Sequence, residues 1–146
     1  MDIFKDLYQQ LIIDHNQNPR NFRKLENASH TADGHNPLCG DEITVSLIEK
    51  NGIITDITFM GSGCAISKAS ASIMTSILKG MQVDDAKIWF DNFHTLATTG
   101  ESPKEMGKLS VLAGVHKYPA RVKCATLAWH TFQGALNNSE ETIQTE

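Results

Sequence analysis

Cys39, Cys64 and Cys124 are the three cysteines of this 146-residue chain, and Asp41 follows the first of them by two positions. Thiolates and a carboxylate can hold a metal ion or exchange sulfur. Cysteines also pack as small apolar residues, which is the bland alternative for all three. An odd count leaves one thiol over from any disulfide pairing, although a Cys39–Cys64 bridge stays open as an alternative. Gly40 follows Cys39 and Gly63 precedes Cys64. Two glycine-flanked cysteines, a third on a helix and a nearby carboxylate suit a tetrahedral site, although the spacing is not that of a zinc ribbon. An Asp after Gly also completes turns, and this is the plain alternative for Asp41.

The elements around them decide whether these groups meet. In residues 42–49, Ile43, Val45 and Leu47 alternate with Thr44 and Ser46, the period of a half-buried strand. Asn51-Gly52 is the preferred two-residue hairpin turn, and residues 53–60 form the return strand with Ile57 and Phe59 as its apolar pair. If Lys50 pairs with Ile53, Thr44 faces Phe59, Glu42 faces Gly61 and Cys39 faces Cys64. Cross-strand neighbours bring their Cβ atoms to about 5 Å. Gly40 and Gly61-Ser62-Gly63 can fray or bulge the last rungs, yet both cysteines stay at one end of the hairpin. Asp41 projects to the same side as Cys39 if the segment is extended.

Residues 65–79 read as a helix lined with small residues, with Ile66, Ile73 and Ile77 as its stripe and Gly80 as its stop. Cys64 therefore sits where free N–H groups favour a thiolate. Pro119 suits the first turn of a last helix reaching Leu136, and Cys124, early in that helix, is expected to share the same advantage.

Elsewhere, Phe4, Leu7, Leu11 and Ile12 predict an amphipathic helix over residues 2–15, capped by Asp2 and ending near Asn18-Pro19. A short strand is expected near His30–Gly34, and a helix from Asp84 to Leu96 with Trp89 and Phe93 inward. Thr98–Lys108 reads as a loop around Gly100 and Pro103, Leu109–Val115 as a short helical segment, and residues 137–146 as a flexible polar tail. The expected architecture is one α+β domain over residues 1–146: a small three-stranded antiparallel sheet with helices packed mainly on one face. A net charge of −4 opposes nucleic-acid binding. No apolar run approaches the roughly 20 residues of a membrane span. The first residues carry acids and lack a signal-peptide core, so a cytoplasmic protein is expected. His15, His30, His35, His94, His116 and His130 are scattered without metal spacing; His35, near Cys39, reads as an outer-shell group or a surface loop residue.

Asn36-Pro37-Leu38-Cys39-Gly40-Asp41, Gly61-Ser62-Gly63-Cys64-Ala65-Ile66-Ser67-Lys68-Ala69-Ser70 and Tyr118-Pro119-Ala120-Arg121-Val122-Lys123-Cys124-Ala125 resemble the three motifs of the SufU/IscU iron–sulfur cluster assembly family (NifU N-terminal-like). Tyr8, Asp14-His15 and Asn18-Pro19-Arg20-Asn21 are similar to its N-terminal stretch. The resemblance covers nearly the whole chain. The long segment between Cys64 and Cys124 resembles the SufU branch. Scaffold members carry a His directly before the third cysteine and a Leu-Pro-Pro-Val-Lys chaperone motif; Lys123 and Tyr118–Lys123 stand there instead.

The resemblance implies that Cys39, Asp41, Cys64 and Cys124 bind Zn²⁺ and that Cys39 accepts sulfur as a persulfide. It implies a zinc-dependent sulfurtransferase that accepts sulfur from a pyridoxal-phosphate (PLP-dependent) cysteine desulfurase of the SufS type and passes it to a downstream iron–sulfur assembly scaffold. A scaffold on which the cluster itself is built is the alternative. Such family members yield a zinc position to a histidine of the desulfurase on docking. Three thiolates and a carboxylate around Zn²⁺ carry a local charge of about −2, for which Arg121, one turn before Cys124, is placed to compensate.

Overall fold

The computed structural model describes residues 3–102, 104–138 and 142–144, with side chains described from Leu7 onward. The expected cap Asp2, the side chain of Phe4 and Pro103 lie outside the described residues, as do residues 139–141 and 145–146 of the expected tail.

The chain runs α1 (Ile3–Gln17), β1 (His30–Asn36), β2 (Asp41–Lys50), β3 (Ile53–Ser62), α2 (Ala65–Leu78), α3 (Val83–Thr99), a 3₁₀ helix (Gly107–Lys117), α4 (Pro119–Leu136) and β4 (Ile143–Gln144). The α+β class matches the expectation. The sheet does not match in full: it has four strands in the order β3-β2-β1-β4, and β4 joins β1 in parallel, where three antiparallel strands were expected. Two residues from the polar tail, Ile143 and Gln144, complete the edge by pairing with Gly34 and His35. So short a strand leaves no apolar period in the sequence to mark it.

The β2–β3 hairpin turns at Asn51 and Gly52, both at positive φ (54° and 78°), as the two-residue turn requires. Lys50 pairs with Ile53 and Glu49 with Ile54, but Ile48 pairs with Asp56. Thr55 is the extra residue of a bulge, and every later pair shifts by one. Thr44 thus faces Met60, Glu42 faces Ser62, and the expected Cys39–Cys64 rung does not form. The shift has a packing cause. It sets Phe59 opposite Val45 on the core face, 2% and 0% exposed, whereas the unshifted register would turn Phe59 outward.

Ile43, Val45 and Leu47 of β2, with Ile57 and Phe59 of β3, form the inner face of the sheet. Helices α2 and α4 lie on it, α4 against β1 and β2. Trp129, Phe132, Phe93 and Leu109 extend this core beneath α3 and the 3₁₀ helix. Two details of α1 differ from expectation. Leu7 is exposed, and the inward face is Tyr8, Leu11, Ile12 and the fully covered His15. Helix α3 runs on to Thr99 and ends at Gly100 in the left-handed region, which shortens the expected loop. Its N-cap is Gln82, with Asp84 and Asp85 in the first turn rather than at the cap. Among the described residues no helix is long and apolar enough to cross a membrane.

Candidate metal centre

The β1–β2 connection carries the first two candidate ligands. Asn36 and Asp41, both with no solvent exposure, are the last pair of the ladder, and Pro37-Leu38-Cys39-Gly40 makes the turn between them. The Asn36 carbonyl accepts the N–H groups of Cys39 (3.3 Å) and Gly40 (2.8 Å), and its side-chain oxygen accepts that of Leu38 (3.2 Å). Gly40 takes φ +71°, the left-handed value that a Cβ would strain. Cys39 is therefore exposed at the tip of a tight turn while Asp41 is held inside.

Cys64 is the N-cap of α2, and its sulfur accepts the Ser67 N–H at 3.4 Å. Its own N–H donates to Asp41 Oδ1 at 2.7 Å, and its sulfur lies 3.8 Å from Asp41 Oδ2. Gly63 makes this approach possible, because a Cβ there would sit 2.6 Å from Asp41 Oδ1. Cys124 comes from the second turn of α4 and is 3% exposed. Its sulfur lies 3.4 Å from that of Cys39, and Asn36 Nδ2 donates to it at 3.6 Å.

The ligand atoms of Cys39, Asp41 and Cys124 all lie within 4.8 Å of one another. Cys64 touches this group through Asp41 but stands outside the mutual 4.8 Å set. The four sequence-selected residues thus converge on one place, three in a cluster and the fourth at its edge. The disulfide alternative is absent: all three cysteines are free.

Their acidities divide. A hydrogen bond from Cys124 pulls the Cys64 thiol down to about 7, helped by the Ser67 and Ile66 N–H groups against the cost of burial. The same bond, burial and the neighbouring Cys39 push Cys124 upward. The sequence expectation for Cys124 fails here. It lies too far along α4 for the free N–H groups of the first turn to reach it.

Three further residues bear on the site. Arg121 stacks its guanidinium 4.5 Å from the Tyr118 ring centre. Burial pushes the Tyr8 phenol up, with the Arg121 charge pulling against it and those of Cys64 and Cys124 adding to it. Tyr8 Oη is buried without a partner among the described residues. Asn36 was visible only as the first letter of a motif; its role follows from being the last inward residue of β1. His35 lies on that strand, one residue out of phase with Asn36, so its side chain faces away from the cluster beside Glu42. Lys68 lies 5.0 Å over the Phe22 ring. His94 stacks on Phe90 of the same helix, α3, and His130 of α4 meets both rings edge-on.

Comparison with known proteins gives the family. Residues 7–125 match the family model described as the NifU-like N terminal domain. The chain is 39% identical over 136 residues to the zinc-dependent sulfurtransferase SufU of Bacillus subtilis, covering 92% of each. It is 37% identical over 135 residues to the iron–sulfur cluster assembly scaffold protein IscU of Streptococcus pyogenes, covering 91% of this chain and 84% of that one. A crystal structure of a putative iron–sulfur cluster assembly scaffold protein for the SUF system from Fervidobacterium islandicum superposes with TM-score 0.83 at 33% identity, over 90% of this chain and 97% of that one.

Proposed function

Because the chain belongs to the NifU-like N-terminal domain family, we propose that it serves iron–sulfur cluster assembly as a cytoplasmic, zinc-dependent sulfurtransferase. It accepts sulfur from a PLP-dependent cysteine desulfurase of the SufS type and passes it to a downstream assembly scaffold. The observation that carries this reading is the clustering of Cys39, Asp41 and Cys124 with the first of them alone exposed.

The donor types fit zinc, and Cys39, Asp41 and Cys124 stand near its spacing while Cys64 lies wider. A tetrahedral centre with Zn–S bonds of about 2.3 Å spaces its ligand atoms about 3.8 Å apart. Here the Cys39–Cys124 and Cys64–Asp41 separations are 3.4 and 3.8 Å. Cys39, Asp41, Cys64 and Cys124 would hold the ion. Bound zinc would keep the thiolates deprotonated at neutral pH while damping their attack.

The remaining chemistry belongs to the chain. Cys39 presents its sulfur at the turn tip, and its thiolate attacks the outer sulfur of the desulfurase persulfide. A new S–S bond forms on Cys39, the donor S–S bond breaks, and its electron pair leaves with the desulfurase cysteine as thiolate. One sulfur atom moves and no external oxidant or reductant is consumed. Asp41 and Asn36 hold the two sides of the turn, and Arg121 supplies positive charge near the anionic cluster. The scaffold reading rests on the likeness to IscU. Lys123, directly before Cys124, weighs against it, since a protonated lysine offers no lone pair to iron.

The test mixes the purified protein with a SufS-type desulfurase and cysteine. The expected result is one zinc per chain and faster turnover with the parent but not with Cys39→Ala. Reconstitution with iron and sulfide giving a stable, transferable coloured cluster would overturn this reading in favour of the scaffold.

A further inference from the structure

A cleft of about 290 Å³ opens between α1, α2, α3 and the start of the 3₁₀ helix. It shares no residue with the cysteine cluster, so its chemistry is independent of the sulfur-transfer reading. His15 reaches it from α1 and is 2% exposed. Its Nδ1 lies 2.7 Å from Ser72 Oγ, and the same hydroxyl oxygen accepts the Arg20 N–H at 2.8 Å. Among the described residues the Ser72 hydroxyl proton has no other acceptor, so it is assigned to Nδ1 and the ring proton to Nε2. Nε2 is buried and has no partner among the described residues. A buried N–H without an acceptor is costly, so the site calls for one.

The surroundings say what kind of acceptor. Arg20 and Lys108 line the cleft, and both charges act on the His15 ring. Among the described residues two carboxylates stand nearby, and both are engaged: Asp14 is paired with Arg20 at 2.8 Å, and Glu105 accepts the Gly107 N–H at 3.2 Å. The 3₁₀ helix begins at the rim with Gly107 and Lys108, and its first N–H is already taken by a side chain, so Lys108 is what this end contributes. The rest of the wall is mostly apolar: Ile73 and Ile77 of α2, Trp89 of α3, and Met106, with Ser76 as the polar exception, its hydroxyl donating to the Ser72 carbonyl at 3.0 Å. Two donors and the nearby Arg20 charge at one end of a largely apolar slot match neither a bare inorganic anion nor a neutral hydrocarbon.

We infer that this cleft binds a small organic carboxylate, its charged end on His15 Nε2 and Lys108 and its apolar body against Trp89 and Ile77. Arg20 contributes its field while remaining paired with Asp14. A slot of this size accommodates a ring or branched chain of amino-acid dimensions.

The experiment titrates benzoate into the full-length protein while following the His15 ring and Trp89 indole N–H signals by NMR. Benzyl alcohol and inorganic phosphate are the parallel probes. The expected result is saturable shifts at both residues with benzoate, and binding at least about tenfold weaker for the other two, the equivalent of about 1.4 kcal/mol. Lys108→Ala, a change at an exposed position, should weaken benzoate several-fold, and His15→Phe should abolish the response at Trp89. Should His15→Phe fail to fold, Lys108→Ala still decides. Equal binding of benzyl alcohol, equal binding of phosphate, no saturable shift, or an unaltered Lys108→Ala would each overturn the assignment.

Discussion

Asp41 Oδ1 accepts the Cys64 N–H at 2.7 Å while Asp41 Oδ2 lies 3.8 Å from the Cys64 sulfur. One fully buried carboxylate therefore ties the β1–β2 turn to the start of α2 and also stands among the candidate ligands. Its two functions separate by substitution. Asp41→Asn keeps an oxygen for the Cys64 N–H, whereas Asp41→Ala leaves that donor unpaired, at a cost of about 1–3 kcal/mol. Urea unfolding of the metal-free forms should rank parent and Asn above Ala. Chelator competition should show both variants holding zinc more weakly than the parent. Equal stability of Asn and Ala would contradict the structural tie.

Gly63 supplies the second prediction. A Cβ there would meet Asp41 Oδ1 at 2.6 Å, and the contact involves a carboxylate already held by the Cys64 N–H. Gly63→Ala should therefore lower stability by about 1–3 kcal/mol, in the range of overpacked sites, and loosen zinc. Gly114→Ala is the control, since its added Cβ meets nothing within 4 Å. Thermal unfolding of the two variants checks the contrast; similar losses in both would show that backbone freedom, not the Asp41 approach, governs Gly63.

Much of this arrangement could be read from residues, and the failures have identifiable causes. The Asn51-Gly52 turn, the α2 boundary at Cys64 and the α4 start at Pro119 each carry local chemistry, and each fell where expected. The bulge at Thr55 had a signal that simple alternation conceals: Ile54 and Ile57 are both fully buried, yet odd spacing cannot place both on one face of a regular strand. Strand β1 is polar and rich in small residues, so its period is faint. It nevertheless supplies Asn36, and its close approach to α4 occurs at Gly34, where a Cβ would clash with the Thr131 side chain. The partner of a buried histidine is not local either. His15 meets Ser72 across 57 positions, which no window along the chain could reveal.

The same histidine gives a pH dependence. Burial pushes the His15 imidazole below its usual 6.5, and the charges of Arg20 and Lys108 act in the same direction. The unfolded chain then takes up a proton more readily than the folded one. Stability from this residue is fully present above pH about 6.5, and is lost as pH falls through the depressed folded value. His15→Gln removes the titration. Urea midpoints of parent and variant should converge as pH drops from 7.5 to 5, because only the parent carries this loss. Parallel curves would show that His15 is not held neutral by the fold. Comparing the two chains at each pH cancels the contribution of the thiols.

The last prediction concerns which sulfur receives the transferred atom. Two effects oppose each other. Without metal, Cys64 is the thiol pulled down to about 7, so thiolate content alone favours it. A tenfold gain in thiolate is worth about 1.4 kcal/mol, and the lower nucleophilicity of a more acidic thiol returns roughly half of that. Access acts the other way and without such compensation. A persulfide on another protein must approach the attacking sulfur along its S–S axis. Cys39 is exposed at the turn tip, Cys64 is half-buried as a helix cap, and Cys124 is 3% exposed behind Asn36. Access therefore decides, and the added sulfur should be found on Cys39 by peptide mass spectrometry after one turnover with the desulfurase under non-reducing conditions. Cys39→Ser should show no added sulfur, while retaining its fold by circular dichroism because the residue packs against little. Sulfur found on Cys64 or Cys124 of the parent at the earliest time, with Cys39 unmodified, would mean that thiolate content outweighs access and would remove Cys39 from the role proposed for it.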